Sequence, residues 1–436
     1  MRPNLAARSL AVLALVVLPS YTQSVKDIRT QGTEMLKAVR KTVEKNYFDP
    51  EFSGVNLDAV FQKAENSMQQ AQGPGQTFGI IAQALTALND SHTFFIPPTR
   101  IAHVNYGWRM AMVGDRCVVT GVKPKSDAEL KGVRAGDEIL SIDGFRPTRD
   151  SLWRVKFAYY SLQPRATVRL QLGGPDGAMR QAEVVASVKP GKQVIDLAGS
   201  TADFDYWDML RESMAEAAVD PHRTHTIGKE LIIYRMPDFS IQSGEIDAAM
   251  ERIRKYDRLI LDLRGNGGGA VSILERMAGY LLGKGVVVAQ RKGRKAEKPI
   301  TAQAPGAPLE AKLVVLVDSE SGSAAELLAR AVQLEKRGTV IGDRTFGGVR
   351  QSKEFPLQLG VGRVVMYGVS VTNADLIMKD GKSLEHVGVM PDEVVLNTPA
   401  NIAAGGDATL ARAAELLGVK LSVEDAGKIF ARKWLN

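Results

Sequence analysis

The 436-residue chain has one cysteine, Cys117, so an intramolecular disulfide is excluded and stability falls to the packed core. Histidine is scarce as well, at five residues. His222 and His225 are close, but no Asp, Glu or Cys partners stand at zinc-ligand spacing, so no metal site is expected. Neither a GK[ST] phosphate loop nor a G-x-G-x-x-G fingerprint is present, and no cofactor is expected. The formal charge of +7 is spread along the chain. Without a long Lys/Arg run or interleaved aromatics, nucleic-acid binding is excluded as the main role. Long apolar runs are missing too. The stretch from Leu10 to Leu18 holds nine apolar residues, too few to anchor across a bilayer. Arg2 and Arg8 precede it and Pro19, Ser20, Tyr21 and Thr22 follow, which is the pattern of an export signal over residues 1–22. Cleavage near Thr22 is the reading, with a retained signal anchor as the alternative. After removal no stable membrane span is expected. Export without disulfides points to a bacterial periplasm or the cell exterior.

What the chain does have is a serine on a turn between a strand and a helix. In VVLVDSESGSAAELLARAVQ, Leu313 to Val317 reads as a buried strand and Ala324 to Gln333 as a buried helix. Ser323 stands where the helix begins. The plain reading is a helix cap, which serine favours. The chemical reading is a nucleophile whose hydroxyl lies beside the N–H groups of the first helical turn, half of an oxyanion hole.

At this length two or three domains are expected. Residues 23–104 read as an N-terminal helical cap, with helical periodicity through VKDIRTQGTEMLKAVRKTVEKN, LDAVFQKAENSMQQA and TFGIIAQALTAL. Residues 105–190 change to short β-like runs separated by turns. A helical linker at residues 206–218 leads into alternating strands and helices within 191–436. That alternation predicts an α/β domain with a parallel-rich sheet and working loops at the strand C-terminal ends. One such strand, RLILDLRG, ends in Gly265-Asn266-Gly267-Gly268-Gly269, where glycine lets backbone N–H groups approach a bound group.

The β-rich stretch resembles a PDZ domain of the kind found in bacterial proteases, with Ser126-Asp127-Ala128-Glu129 opening a short helix and Asp143-Gly144 making a tight turn. The resemblance implies binding of a peptide end as an added strand. The matching loop is Tyr106, Gly107, Trp108, Arg109 and Met110, which lacks the usual glycine-rich carboxylate signature. The segments NYFDPEF, LNDSHTFF, LILDLRGNGGG, DSESGSAAELLARA, VIGDRTFGG and LEHVGVMPDEVV, in this order, are similar to the carboxyl-terminal processing serine proteases. Tricorn core protease and retinoid-binding repeats share that family. The resemblance implies Ser323 as nucleophile, three residues before Glu326. It implies oxyanion donors at the amides of Ala324 and of Gly267 or Gly268.

The processing branch carries a lysine base in T-F-G-K-G; here that position is Gly348, and Lys353 lies five residues on. The tricorn branch instead has a Ser-His pair, matched by Ser91 and His92, and a glutamate matched by Glu385. The implied triad is therefore Ser323, His92 as base and Glu385 as orienter, acting directly or through Ser91. His386 is the rival base. A carboxylate partner is expected to raise the imidazole pKa, giving an acidic activity limb at about pH 6 to 7.5. The implied activity is an exported serine endopeptidase acting on protein or peptide substrates recognised by the C-terminus. The alternative is a silent binding protein on the same fold.

Overall fold

The computed structural model of the chain describes residues 24–98, 102–190, 221–360, 365–431 and Trp434. The segments expected to be a leader, 1–22, and a helical linker, 206–218, lie outside the described residues.

Three amphipathic helices come first, α1 (Val25–Asn46), α2 (Leu57–Met68) and α3 (Pro74–Thr86). Ser24 and Asn56 cap the first two by accepting from the Asp27 and Ala59 N–H groups. Pro74 sits in the first turn of α3, where its missing N–H costs nothing. Their buried residues, among them Leu36, Val43, Phe61 and Ile81, share one core with Tyr367, Val369 and Val371 from far along the chain. The helices thus roof a distant sheet. A short strand, β1 (Phe94–Ile96), follows them and pairs with that sheet.

The next region is a five-stranded antiparallel sheet, β2 (Trp108–Val113), β3 (Arg116–Val122), β4 (Glu138–Ile142), β5 (Thr167–Gly173) and β6 (Met179–Val185), in that spatial order. Ser126 caps the helix Asp127–Leu130, and Asp143 and Gly144 both take positive φ in their turn. A helical stretch, Leu152–Lys156 continuing through Phe157–Leu162, interrupts the strands where only β-like runs were expected.

The remainder alternates as expected: β7 (Arg223–Ile227), β8 (Leu231–Arg235), α4 (Ser243–Ile253), β9 (Arg258–Asp262), α5 (Val271–Leu282), β10 (Val287–Lys292), β11 (Ile300–Thr301), β12 (Lys312–Val317), α6 (Ala324–Leu334) and β13 (Thr339–Gly342). A long hairpin, β14 (Arg350–Leu359) and β15 (Val365–Ile377), precedes β16 (Glu393–Val394) and α7 (Ala408–Leu416). Six strands form a sheet in the order β16-β13-β12-β9-β8-β7, parallel except for β7. Leu259, Leu261, Val315 and Val317 enter the core on one face, while Ile260, Val314 and Leu316 enter the core on the other, against α7. Burial on both faces explains the unbroken apolar runs in these strands. The second sheet joins β1, β15, β10 and β11, with β14 also on β15.

Candidate active site

The ends of β9, β12 and β13 lie side by side, so the loops leaving them meet. Asp318 holds the turn after β12, its Oδ1 accepting the Gly265 and Glu320 N–H groups at 2.9 and 3.0 Å. Ser321 Oγ donates to the Leu263 carbonyl at 2.8 Å. Ser323 does occupy the cap position of α6, but with φ 53° and ψ −116° rather than the extended backbone of an ordinary cap. A non-glycine residue at positive φ is strained and needs its surroundings to hold it. The Ser323 N–H donates to both the Gly348 carbonyl at 3.0 Å and Glu326 Oε2 at 2.9 Å. Ser323 is half-buried on this strand-to-helix turn, where it and Glu326 form a capping box.

The glycine loop behaves differently at its two candidate donors. Asn266, fully buried, accepts the Gly268 N–H on its side-chain oxygen at 2.8 Å and the Gly322 N–H on its carbonyl at 2.8 Å. Gly268 is therefore buried with its amide engaged. Its role is close packing, since a Cβ there would come within 2.6 Å of Ser323 Cβ. Gly267 is exposed. Ala324 opens α6, where helix N–H groups have no carbonyl behind them. Asn266 was legible only as part of the glycine motif; its cross-links depend on the loop's fold.

The histidine arrives from the turn before β1. Ser91 Oγ lies 2.7 Å from His92 Nδ1 and donates to Glu385 Oε2 at 2.9 Å. Its single proton goes to the carboxylate, so its lone pair receives the Nδ1 proton of a neutral imidazole, leaving Nε2 without one. Glu385, buried, also accepts the Ser91 and Val349 N–H groups at 2.9 and 2.8 Å. Asp90, absent from the sequence-derived set, fixes the turn. Its Oδ1 accepts from the His92 and Thr93 amides and from the Thr372 hydroxyl, and its Oδ2 from Tyr47 and Arg350. Burial lowers the His92 pKa below its ordinary value, outweighing the upward pull of Glu385 and Asp90, and Arg350 adds to the lowering. The expected upward shift is thus corrected: burial wins over the carboxylates.

The Ser323 and His92 segments meet at one residue. Gly348 gives its carbonyl to Ser323, and a Cβ on it would lie 3.3 Å from Ser91 Oγ and 2.6 Å from the Phe346 ring. Of the other candidate bases, His386 lies at the edge of the site, its Nε2 3.5 Å from Glu385 Oε1. His386 Nε2 is 2.7 Å from the Asn89 carbonyl, which accepts only, so that nitrogen carries a proton. Lys353 is exposed on β14 and pairs with Val371.

The five loop residues matched to peptide capture need correction. Tyr106, Trp108 and Met110 are buried in the core of the β-rich region. The Gly107 N–H donates to Asn105 Oδ1 at 2.8 Å, which removes it as a carboxylate donor. The Arg109 guanidinium sits 4.1 Å from the Trp434 ring. Trp108, Arg109 and Met110 belong to β2, an edge strand. Its hairpin reaches the nucleophile turn: Ser319 Oγ donates to the Met112 carbonyl at 2.6 Å, and the Gly114 N–H to Asp343 at 2.8 Å. Arg149 also binds Asp343, and Lys156 binds Glu320. No local sequence signal announces these long-range contacts.

Behind the glycine loop, Asp262 is fully buried between Arg235 and Arg264, and Arg264 also reaches Asp407 beside α7. Burial alone would raise the Asp262 pKa, but the two guanidinium groups hold it well below the usual carboxylate range. Removing one partner of such a buried network typically costs about 3–5 kcal/mol. Among the described residues no group of three or more His, Cys, Asp or Glu could hold a metal. None of their helices is long and apolar enough to cross a membrane.

Residues 232–395 match the model of peptidase family S41. A probable CtpA-like serine protease of Staphylococcus epidermidis is 32% identical over 398 residues, covering 89% of this chain and 70% of that one. A carboxyl-terminal-processing protease of Picosynechococcus sp. is 27% identical over 425 residues, covering 94% of each. In fold the chain is similar to mature CPAF, with TM-score 0.62 at 14% identity over 86% of this chain and 94% of that one. It is also similar to the photosystem II D1 C-terminal processing protease, with TM-score 0.51 at 21% identity over 92% of this chain and 98% of that one. Sequence likeness over most of the chain and the shared fold agree: this protein is a serine peptidase and belongs to peptidase family S41, the carboxyl-terminal processing proteases.

Proposed function

We propose that the protein is an exported endopeptidase that cleaves protein or peptide substrates through an acyl-enzyme on Ser323. The observation that carries this reading is the chain of bonds from His92 Nδ1 through Ser91 Oγ to Glu385, which leaves the other ring nitrogen unprotonated. Ser323 Oγ attacks the scissile carbonyl carbon and its proton passes to His92 Nε2. The resulting oxyanion is met by the amides of Ala324 and Gly267. The carbon–nitrogen bond breaks as His92 gives its proton to the leaving amine. Water, deprotonated by the same imidazole, then releases the acyl group and restores the serine. Glu385 keeps Ser91 oriented and stabilises the imidazolium.

The β-rich region, read as a PDZ-like domain, would receive the substrate's C-terminal end along the edge of β2 ahead of Met112, whose carbonyl Ser319 occupies. Its contacts to Ser319, Glu320 and Asp343 would bring the chain upstream of that end toward Ser323. A leader over residues 1–22, as its sequence pattern reads, would send the enzyme to a bacterial periplasm or outside the cell.

A fluorophosphonate probe tests the reading, because only an activated serine is labelled. Labelling of wild type and its loss in Ser323→Ala is the expected result. An unlabelled wild type would show a binding protein on a peptidase fold.

Gly348 gives a second expectation. Restoring the lysine of the processing branch by Gly348→Lys should not create a working lysine base. Its Cβ would press on Phe346 and Ser91 Oγ and disturb the histidine's partner. Activity should fall at least about tenfold, as it does when a supporting contact of a base is lost. Unchanged or increased kcat/KM in this variant would contradict the His92 assignment.

A further inference from the structure

The geometry points to Glu326 as the positioning residue of the nucleophile, an ionised carboxylate from which the strained Ser323 turn and the 345–348 loop both hang. This rests on Ser323 being the nucleophile. Oε1 accepts from Thr345 Oγ1 at 2.5 Å and the Gly347 N–H at 2.7 Å. Oε2 accepts from the Ser323 N–H at 2.9 Å and the Gly348 N–H at 3.1 Å. All four partners are donors, and only an ionised carboxylate is acceptor-only. An amide would set a hydrogen against one of those N–H groups, and a neutral acid could place its proton only toward the Thr345 hydroxyl, which would then have to turn its own hydrogen away.

Glu326 is fully buried, and among the described residues it has no ionic partner. The charged groups on the elements around it are engaged elsewhere. Asp318 holds backbone amides, and Asp262 pairs with Arg235 and Arg264. Asp343 pairs with Arg149, Arg350 with Asp90, and Glu385 with Ser91 and Val349. The charge is therefore held by dipoles alone, at the first turn of α6 where a negative charge is favoured.

The consequence reaches both halves of the site. The carboxylate fixes Ser323 directly. It also fixes Gly348, whose carbonyl accepts from Ser323 and whose neighbour Val349 donates to Glu385. Nucleophile and base are set against each other through this one side chain. Burial pushes its carboxyl up to about 7, although Thr345, Gly347, Ser323 and Gly348 all pull it down. The working form is the ionised one, so activity is present above that pH and falls as protons are added through it.

The test measures kcat/KM for a peptide and the rate of fluorophosphonate labelling against pH, in wild type, Glu326→Gln, Thr345→Val and Thr345→Ser. Glu326→Gln should be labelled at least about tenfold more slowly, with KM changed by less than about threefold, since the loss lies in transition-state geometry. Thr345→Val removes one donor to the charged form, so the acidic limb should move to higher pH. Thr345→Ser keeps the hydroxyl and should restore the wild-type limb. A role in folding alone would lower the rate at every pH and move nothing. Labelling of Glu326→Gln at the wild-type rate, or an unmoved limb in Thr345→Val, would overturn the inference. If Glu326→Gln does not fold, the Thr345 pair decides. An unlabelled wild type would instead overturn the nucleophile assignment and this inference with it.

Discussion

Ser323→Ala and His92→Ala should each lower kcat/KM by about 10³-fold or more, while Lys353→Ala should leave it within about twofold. The first loss removes the attacking atom. The second removes the proton acceptor of the proposed mechanism, and a factor of 10³ corresponds to about 4 kcal/mol of barrier. The contrast with Lys353 is geometric. In the β14–β15 hairpin, Ser352 pairs with Thr372 and Lys353 with Val371, across a register shift between Gln351 and Ser352. Neighbouring strand residues point to opposite faces. The Thr372 hydroxyl donates to Asp90 at 2.6 Å on the histidine side, whereas Val371 is buried beneath the three N-terminal helices. Lys353 therefore belongs to the face away from the histidine turn. Steady-state kinetics on the three variants check this, with far-UV circular dichroism to confirm folding. Retained activity in His92→Ala together with loss in Lys353→Ala would reverse the assignment.

The helices and the parallel strands were legible because their signals are local. The nucleophile strand, its turn and α6 could be read within a residue or so from one stretch of sequence. Ser91, His92 and Glu385 could be found only through motif likeness, because 294 residues separate the hydrogen-bonded Ser91 and Glu385. The roles of the supporting groups were not legible, even where a motif contained the residue. Asp90, Asn266 and Arg350 are ordinary polar residues until the fold brings donors to them. The roof formed by α1, α2 and α3 was read as a separate cap because its partners, Tyr367, Val369 and Val371, lie on a hairpin whose period-2 pattern was not recognised. The direction of the His92 shift is hidden from the sequence for a related reason. Motifs name the neighbouring carboxylates, but burial is a property of the whole fold.

Glu385→Gln should lower kcat/KM by about 10²- to 10⁴-fold, the range seen when the orienting carboxylate of a triad becomes an amide. The cause lies in its three donors. Oε1 receives the Ser91 N–H, and Oε2 receives both the Ser91 hydroxyl and the Val349 N–H. Whichever way the amide turns, its NH₂ faces a backbone N–H. With the NH₂ on the Oε2 side it also meets the Ser91 hydroxyl, which must then point its proton at His92 Nδ1. That forces the imidazole into the other tautomer, with Nε2 protonated and unable to act as base. With the NH₂ on the Oε1 side it confronts Arg350, whose Nε lies 3.7 Å from that oxygen. The pH dependence adds a second readout. The proposed mechanism needs the neutral imidazole, so a lowered pKa places the His92 limb below its ordinary position near 6.5. Glu385 is an upward influence on that pKa, and its neutralisation should move this limb to still lower pH. The limb near 7 that belongs to Glu326 should stay where it is, because the exchanged carboxylate does not bond to it. In wild type, activity should fall with slope one below about pH 7 and steepen toward slope two once His92 also takes a proton. Glu385→Gln should widen the interval between the two breaks while lowering the plateau. A profile whose lower break does not move, with an unchanged plateau, would return Glu385 to a purely structural role.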